Sequence, residues 1–378
     1  MKLIHLSDLH LGKRLNEFNL LEDQEDILRK CLSVIDAEKP DAVILAGDIY
    51  DKAVPSAEAV ALFDDFLSGL AMRKLSVFVI SGNHDSPERI AFAHRLLKES
   101  RVHLSPVYSG VVEPVRLDDA FGAVYFYLLP FIKPTHVRRY FPAETIESYT
   151  DAVRVAINKM NIDPSERNVL VTHQYVTGAT RSESEDVPVG GLDNVDASVF
   201  DGFEYVALGH IHGPQNIGTE HIRYCGTPLK YSFSEADHIK SVTVAELCEK
   251  GDLSVRTIPL VPKRDMRKLR GSYMELTAES SYDGTNTDDY IHITLTDEDD
   301  IPDVMARFRI IYPNLMSIEY DNLRTNSHGA VGGALNVEQK TPLELFDELY
   351  EKQNGAPLSD EQRAYAMKLM EEIWEGRT

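Results

Sequence analysis

The segment MKLIHLSDLHLG, residues 1–12, joins an apolar run to two polar side chains that can bind metal. Leu3, Ile4 and Leu6 are typical of a buried strand. Asp8 and His10 follow two positions apart, and side chains at that spacing on extended backbone point to the same face. Two interpretations are open at this point: a capping acid with a surface imidazole, or part of a divalent metal site.

The composition indicates a globular protein with an acidic surface. The chain has 378 residues, 43% of them hydrophobic, and a formal net charge of -22. This charge argues against binding nucleic acid by bulk positive charge, so any such contact must be local or helped by bound cations or a partner. The three widely separated cysteines predict neither a disulfide framework nor a zinc ribbon. No apolar run approaches the roughly 20 residues of a membrane span. We expect a cytoplasmic protein, associated with the nucleoid and without a membrane partner.

Four further apolar runs resemble the first one and alternate with stretches of helical periodicity. They are AVILAGD from Ala42, SVFVISGNHD from Ser76, NVLVTHQ from Asn168 and YVALGH from Tyr205. This alternation predicts an α/β domain. The shorter strands after Tyr205 predict antiparallel hairpins, and we place the end of this first domain at residue 265.

The last third of the chain has a different organisation. Residues 266–324 predict a small α+β domain with a β-α-β unit, and residues 325–340 have the composition of a linker. Residues 341–378 predict two amphipathic helices, the second beginning with a capping box. Their apolar positions are Leu345, Leu349, Tyr365, Leu369, Ile373 and Trp374. These helices either bind a partner or pack back on the body of the protein.

Each apolar run of the first domain ends in side chains suited to metal binding or catalysis. They are Asp8 and His10, Asp48 and Asp51, Asn83 and His84, His173, and His210 and His212. Each fragment alone has an ordinary explanation, such as a turn or a helix entry. Five of them in succession do not, and ligands of α/β sheets bind at the C-terminal ends of strands. We therefore predict that these side chains converge on one crevice.

The predicted ligand set suits a pair of transition-metal ions. Carboxylates, an amide oxygen and imidazoles fit Mn²⁺, Fe²⁺ or Zn²⁺, whereas the absence of thiolates excludes a structural zinc site. Two such ions roughly 3.5–4 Å apart can bind a phosphoryl oxygen and activate water. Asp48, on the middle strand, is the natural bridging ligand. We expect Gly47, Gly82 and Gly209 to permit close backbone approach, and Asp85 to cap the helix that begins at Pro87.

The motifs D-x-H, G-D-x-x-D, G-N-H-D, H and G-H-x-H, in this order, resemble those of the calcineurin-like metallophosphoesterases over residues 1 to about 260. The segments MKLIHLSDLHLGKRL, AGDIYDKAVPS, ISGNHDSPERI and YCGTPLKYSFSE are further similar to the nuclease subunits of bacterial SbcCD-type complexes. The resemblance implies an α/β class: a calcineurin-like β-sandwich flanked by helices, with a small α+β cap domain and C-terminal amphipathic helices.

The resemblance also implies roles for individual residues. One metal ion would be held by Asp8, His10, Asp48 and His212, and the other by Asp48, Asn83, His173 and His210. Mn²⁺ would be the preferred metal. His84 would lie beside the scissile phosphate without binding metal, and either protonate the leaving oxygen or stabilise charge. Asp51 would orient His84, although an acid at a helix N-terminus is an equal alternative.

The same resemblance implies a DNA exonuclease and endonuclease that processes double-strand breaks and hairpins. Candidate phosphate contacts are Lys13, Arg14 and Arg89, with solvated surface charge as the competing interpretation. The basic stretch KRDMRKLR, residues 263–270, lies where the family has a DNA-contacting cap, and a solvated linker face is its alternative. Its cationic residues are Lys263, Arg264, Arg267, Lys268 and Arg270.

The chain lacks the P-loop pattern G-x-x-x-x-G-K-[ST], so ATP dependence would require a second protein. The resemblance implies an SbcC-type coiled-coil ATPase that receives the terminal helices, and a homodimer within a heterotetramer. Two rival functions remain. A phosphoesterase for small molecules would use the same ligands but would have no evident need for the C-terminal third. A scaffold that has lost catalysis predicts a gap in the ligand set, and the sequence has none.

Overall fold

The computed structural model describes residues 1–185, 193–322, 341–354 and 357–374, without the side chains of 352–354 and 371–374. It divides into two compact units. The first contains residues 1–185 and 194–266, and the second continues from Arg267. None of the helices within the described ranges is both long enough and apolar enough to cross a membrane.

The first unit is built mainly from strands, which pair as two large sheets and two short ribbons. In chain order the strands are β1 (Lys2–Leu6), β2 (Arg14–Leu15), β3 (Phe18–Asn19), β4 (Ala42–Ala46), β5 (Ser76–Ile80), β6 (Val102–Leu104), β7 (Val115–Asp119), β8 (Gly122–Leu129), β9 (Arg167–His173), β10 (Tyr175–Val176), β11 (Asn194–Val195), β12 (Tyr205–Gly209), β13 (Gln215–Ile217), β14 (Thr219–Tyr224), β15 (Ser241–Leu247) and β16 (Leu253–Pro259).

Helices connect several of these strands. They are α1 (Leu21–Glu38), α2 (Ala57–Met72), α3 (Pro87–Ile90), α4 (His94–Leu97), α5 (Pro134–Arg138) and α6 (Tyr149–Asn158), with 3₁₀ turns at Lys98–Ser100, Ala197–Phe200 and Phe233–Glu235. Helix α1 buries Ile27, Cys31 and Ile35 along one side, as the apolar spacing of the sequence predicts. Ser56 caps α2 by accepting a hydrogen bond from the backbone N–H of Ala59.

Both large sheets have parallel centres; the first has one antiparallel edge, at β15 and β16, and the second has antiparallel strands at both edges. The strand order is β16-β15-β1-β4-β5-β6 in the first sheet and β13-β14-β12-β9-β8-β7 in the second. Strands β15 and β16 form an antiparallel hairpin, as do β13 and β14, which confirms the hairpins predicted after Tyr205. Strand β14 also runs parallel to β12, with Val206 opposite Ile222, and this pairing was not evident from the sequence.

The apolar inner faces of the sheets pack against each other. Ile44 and Phe78 from the first sheet and Phe126 and Val171 from the second are completely buried in one cluster. The rings of Phe78 and Phe126 stack with centroids 4.3 Å apart. Burial of each such side chain contributes about 1.5–3 kcal/mol to folding. Helices cover the outer faces, so the fold is the predicted α/β sandwich flanked by helices.

The second unit contains a small α+β body and two terminal helices. Its elements are β17 (Met266–Gly271), α7 (Tyr273–Thr277), α8 (Glu279–Tyr282), β18 (Tyr290–Leu295), α9 (Val304–Phe308), β19 (Leu315–Tyr320), α10 (Pro342–Asn354) and α11 (Asp360–Trp374). Strands β18 and β19 form a parallel pair and are connected by the segment that contains α9, as the predicted β-α-β unit requires. Ile293, Phe308 and Leu315 are completely buried in its core. The predicted linker, 325–340, lies outside the described residues.

Candidate metal centre

The candidate ligands lie at the C-terminal ends of five strands that belong to two different sheets. Strands β1, β4 and β5 of the first sheet precede Asp8, Asp48 and Asn83, while β9 and β12 of the second precede the histidines at 173 and 210. The crevice is therefore formed where the ends of two packed sheets meet. The loops that leave the strands turn sharply: φ is 53° at Asp8, 49° at Asp48 and 100° at His210. Such left-handed backbone is uncommon outside glycine and concentrates at functional sites.

The loop that carries Asp8 and His10 is held by main-chain hydrogen bonds. The N–H of Asp8 donates to the carbonyl of Gly47 at 3.0 Å, and the N–H of His10 donates to that of Asp48 at 3.0 Å. The side-chain amide of Gln24 donates to the carbonyl of His10 at 2.7 Å. The two main-chain hydrogen bonds join the loop after β1, which carries Asp8, to the loop after β4, which carries Asp48. They hold the carboxylates of Asp8 and Asp48 at a set separation.

Glycine is required where these loops approach each other. A Cβ atom at Gly82 would lie 2.5 Å from the backbone nitrogen of Asp48, and one at Gly209 would lie 2.7 Å from the Nδ1 of His173. Both distances are well below van der Waals contact. The close approach predicted for these glycines is present.

The ligand atoms gather in two overlapping groups. In the first, Asp8, His10 and His212 offer atoms within 4.8 Å of one another, and the two Nε2 atoms of the histidines are 3.2 Å apart. In the second, Asp8, Asp48 and His173 meet the same limit. The Oδ2 of Asp48 lies 3.8 Å from the Nε2 of His10 and 3.4 Å from that of His173, between the two groups.

Asn83 and His210 complete the second group. The Oδ1 of Asn83 lies 3.0 Å from the Nε2 of His173 and 2.9 Å from the Nδ1 of His210. The backbone N–H of His210 donates to both carboxylate oxygens of Asp8 at 3.1 Å. The structure thus brings all seven predicted ligands together.

The donor set fits a divalent metal. The Nε2 atoms of His10 and His212 lie 3.2 Å apart in a buried position, close enough for one to donate a hydrogen bond to the other or for both to bind one cation. Among the described residues, the buried His210 Nε2 and His10 Nδ1 have no hydrogen-bond partner. A cation between such nitrogens and the carboxylates would satisfy both, and mixed oxygen and nitrogen ligands suit borderline transition metals.

The protonation equilibria of His10 and His210 favour the same assignment, whereas at His173 burial lowers the pKa but the charge of Asp48 outweighs it and raises the pKa to about 9. Burial lowers the pKa of His10 and of His210 well below the usual value, so both rings are neutral at pH 7 and can donate a lone pair. Burial opposes ionisation of Asp48, but the neighbouring His173 outweighs it and holds the pKa of Asp48 well below the usual value. Burial raises the pKa of Asp8, and the charge of Asp48 adds to this effect. Two buried acids at this spacing need compensating positive charge.

His84 lies at the edge of the centre and is partly exposed. Its Nδ1 lies 3.0 Å from the main-chain carbonyl oxygen of Asp51, and its Nε2 lies 3.9 Å from the Oδ2 of Asp48. Asp51 therefore contacts His84 through its backbone, whereas its carboxylate accepts a hydrogen bond from Lys13 at 2.8 Å. His84 also groups with His10 and Asp48 at distances that a metal ligand would need.

Asp85 has a different role from the predicted one. Its carboxylate accepts hydrogen bonds from the backbone N–H groups of Ile49, Tyr50 and Gly82 at 2.9–3.1 Å. The cap of α3 is instead Ser86, so the prediction that Asp85 caps this helix was wrong. Asp85 therefore joins the loop after β4 to the loop after β5, because its carboxylate accepts hydrogen bonds from amides of both. Its place in the G-N-H-D motif was the only signal of this role in the sequence.

Most predicted DNA contacts are paired with acids inside their own unit. Lys263 and Arg264 both pair with Glu22, and Arg264 also contacts Asp23. In the second unit Arg267 pairs with Asp289 and Arg270 with Asp321. Arg14 donates to the carbonyl of Glu17, and Arg89 and Lys268 are exposed. The acidic partners offset much of the positive charge that the sequence of residues 263–270 displays.

The predicted partner-binding positions lie on α10 and α11. Leu349, Tyr365 and Leu369 are 56%, 66% and 43% exposed, while Leu345 is half-buried. The helices contact each other through a hydrogen bond from the side-chain amide of Gln362 to the hydroxyl of Tyr350, and through an ion pair between Arg363 and Asp347. The side chains of Ile373 and Trp374 lie outside the described residues.

Comparisons with known proteins cover both parts of the chain. Residues 1–214 match the family model described as calcineurin-like phosphoesterase. Residues 262–354 match the model described as type 5 capsule protein repressor C-terminal domain. A curated relative, the D subunit of the nuclease SbcCD from Staphylococcus epidermidis, is 31% identical over 369 residues, which are 96% of each chain.

Solved structures also match part of the chain at low identity. A dimetal phosphatase from Danio rerio is 12% identical, with a TM-score of 0.38, over 68% of this chain and 96% of its own. A protein of Thermus thermophilus is 12% identical, with a TM-score of 0.38, over 68% of this chain and 98% of its own.

Proposed function

Since the chain belongs to the calcineurin-like phosphoesterases, and within them to the SbcD family, we propose that it is a Mn²⁺-dependent DNA nuclease with exonuclease and endonuclease activity. It would act as a subunit of an ATP-dependent SbcCD-type complex that processes double-strand breaks and hairpins. One observation carries this proposal. Seven buried or partly buried ligand side chains meet at the ends of five strands, in a chain that aligns over 96% of its length with a nuclease subunit.

Each metal position has four candidate ligands. One position uses Asp8, His10, Asp48 and His212, and the other uses Asp48, Asn83, His173 and His210. The location of the Asp48 carboxylate, between the Nε2 atoms of His10 and His173, supports its bridging role. When bound, the ions supply Lewis-acid chemistry: they neutralise phosphoryl charge and activate water for attack on phosphorus.

His84 would handle the proton of the leaving group. Its Nδ1 must carry a hydrogen, because the carbonyl oxygen of Asp51 can only accept. The Nε2 therefore faces the centre, 3.9 Å from the Oδ2 of Asp48. In the imidazolium form Nε2 can donate a hydrogen bond to the phosphoryl group or pass its proton to the departing oxygen. Asp51 would set the orientation of the ring through its main chain.

Cations of both units would contact DNA, and the terminal helices of the second unit would bind a partner. We propose that exposed cations, among them Arg89 and Lys268, contact phosphate, and that paired ones such as Lys263 become available only if their acidic partners move. The exposed apolar positions of α10 and α11 would bind an SbcC-type coiled-coil ATPase, in a heterotetramer built on a homodimer of this chain at the nucleoid. A helix with spaced apolar anchors commonly binds in this manner.

Substrate choice tests the proposal directly. The purified chain would be supplied with Mn²⁺ and offered linear duplex DNA, hairpin DNA, a cyclic nucleotide and an aryl phosphodiester. We expect cleavage of DNA ends and hairpins to exceed hydrolysis of the two small esters. Asp48→Ala serves as the control and should abolish hydrolysis together with binding of two ions. Efficient turnover of the cyclic nucleotide with no cleavage of DNA would establish the small-molecule alternative instead.

A further inference from the structure

The imidazole of His212 lies at the end of a buried chain of hydrogen bonds. Its Nδ1 is 2.7 Å from the Oγ of Ser184, and this hydroxyl donates to the Oε1 of Glu235 at 2.5 Å. The same Nδ1 also lies 3.4 Å from the Oε1 of Glu235. The other oxygen of Glu235 accepts from the ammonium of Lys240 at 2.5 Å. The other side of the ring, through Nε2, faces the Nε2 of His10 in the metal centre.

Which group donates in each of these hydrogen bonds follows from the number of protons available. Glu235 is an acceptor when ionised, and its ion pair with Lys240 keeps it ionised, so the single proton of Ser184 points to Glu235. The oxygen of Ser184 is then left to accept, and the Nδ1 of His212 must donate to it. A neutral imidazole that carries its proton on Nδ1 has a lone pair on Nε2, which is the nitrogen turned to the centre.

The ion pair is buried and fully bonded. Glu235 is 0% and Lys240 is 4% exposed. The ammonium of Lys240 has three acceptors: Glu235, the hydroxyl of Thr227 at 2.7 Å and the main-chain carbonyl of His212 at 2.9 Å. A buried pair of this kind rarely adds stability over an apolar pair of the same size, so its presence here calls for another reason.

The backbone of His212 is held by the same group of residues. Its N–H donates to the Oε1 of Glu185 at 2.6 Å, and its carbonyl accepts from Lys240 and from the N–H of Thr227. Ring and main chain are therefore held together. The other imidazoles differ: the Nδ1 of His173 contacts the carbonyl of Ala46, and that of His10 has no hydrogen-bond partner among the described residues.

We propose that Ser184, Glu235 and Lys240 act as positioning residues that hold His212 in the tautomer and orientation required to bind metal, and so set the affinity of one of the two metal positions. This inference rests on the proposed two-metal function. Groups that orient a ligating histidine through its second nitrogen typically change metal affinity 10- to 100-fold when they are removed. None of the three residues touches a metal or substrate in this scheme.

Metal binding without DNA tests this inference. Isothermal titration with Mn²⁺, metal content after dialysis and the melting temperature with and without Mn²⁺ would be measured for Ser184→Ala, Ser184→Thr and Glu235→Gln. We expect Ser184→Ala and Glu235→Gln to weaken one of two binding events about 10- to 100-fold and to leave the other unchanged. Ser184→Thr keeps the hydroxyl and should bind both ions as the unmodified chain does.

Asp119→Asn is the matched control, because it breaks another ion pair, with the buried Arg167, at a distance from the centre. It should lower the melting temperature without changing either affinity. If Glu235→Gln does not fold, Ser184→Ala decides alone. Unchanged Mn²⁺ affinity in Ser184→Ala would overturn the inference. A chain that binds two ions and cleaves no DNA would overturn the proposed nuclease function only.

Discussion

Gly82 is the position where the smallest possible change should do the greatest harm to the centre. It follows strand β5, and its backbone N–H donates to the carboxylate of Asp85 at 3.0 Å. In Gly82→Ala the new Cβ would lie 2.5 Å from the backbone nitrogen of Asp48 and 2.7 Å from its Cγ. The neighbouring atoms include backbone, so no side-chain rotation can relieve the overlap.

The size of the effect follows from these distances. Ordinary contact needs about 3.4 Å, so the loop of Asp48 or that of Gly82 must move by about 1 Å. Asp85 resists the separation because it binds amides of both loops. A misplacement of about 1 Å at a reacting centre lowers the rate about 100-fold. Overpacking of this kind costs about 1–3 kcal/mol of stability.

The assay compares Gly82→Ala with Gly202→Ala. Gly202 belongs to the same unit, and a Cβ there would meet nothing within 4 Å. We expect Gly82→Ala to lose about two orders of magnitude of Mn²⁺-dependent DNA cleavage and to bind metal more weakly, while Gly202→Ala matches the unmodified protein. Full cleavage and unchanged metal content in Gly82→Ala would refute the reasoning, since the loops would then tolerate the added methyl group.

Three further predictions concern other parts of the chain. His84→Gln should keep both ions and DNA binding but lose about 10²- to 10⁴-fold of cleavage, whereas loss of metal in this variant would make His84 a ligand. The double change Tyr365→Ala and Leu369→Ala should abolish co-purification with the ATPase without altering the melting temperature of the isolated chain, because both side chains are exposed; a lower melting temperature with binding preserved would mean that they pack on this chain. Arg167 lowers the pKa of Asp119, so this ion pair stabilises the fold above the unfolded pKa near 4 and the benefit is lost as pH falls. Denaturant titration should show Asp119→Asn less stable by about 2 kcal/mol at pH 7, with the difference shrinking below about pH 4; a difference that is constant with pH would contradict it.

The sequence by itself determined the strands, the order of the candidate ligands and the family. Apolar runs such as residues 42–46 predict strands of a sheet that is covered on both faces, because both sets of alternating side chains are buried and must be apolar. The candidate metal ligands come directly after these apolar runs in the sequence, so their position at strand ends can be read without the three-dimensional structure. The resemblance to calcineurin-like enzymes needed only the motifs, and the family match over residues 1–214 confirmed it.

Tertiary structure decided how these residues are brought together and which contacts hold them. The five strand ends belong to two sheets, and the contact between His10 and His212 joins residues 202 positions apart. Sequence spacing carries no information on such a distance. The sequence also did not predict the partners of the polar side chains. The acids that pair with Lys263 and Arg264 lie on α1, and Asp85 accepts hydrogen bonds from amides of another loop. Hydrogen bonds and ion pairs depend on three-dimensional distance, whereas strand formation depends on the local pattern of apolar residues, and this difference sets the limit of prediction from sequence.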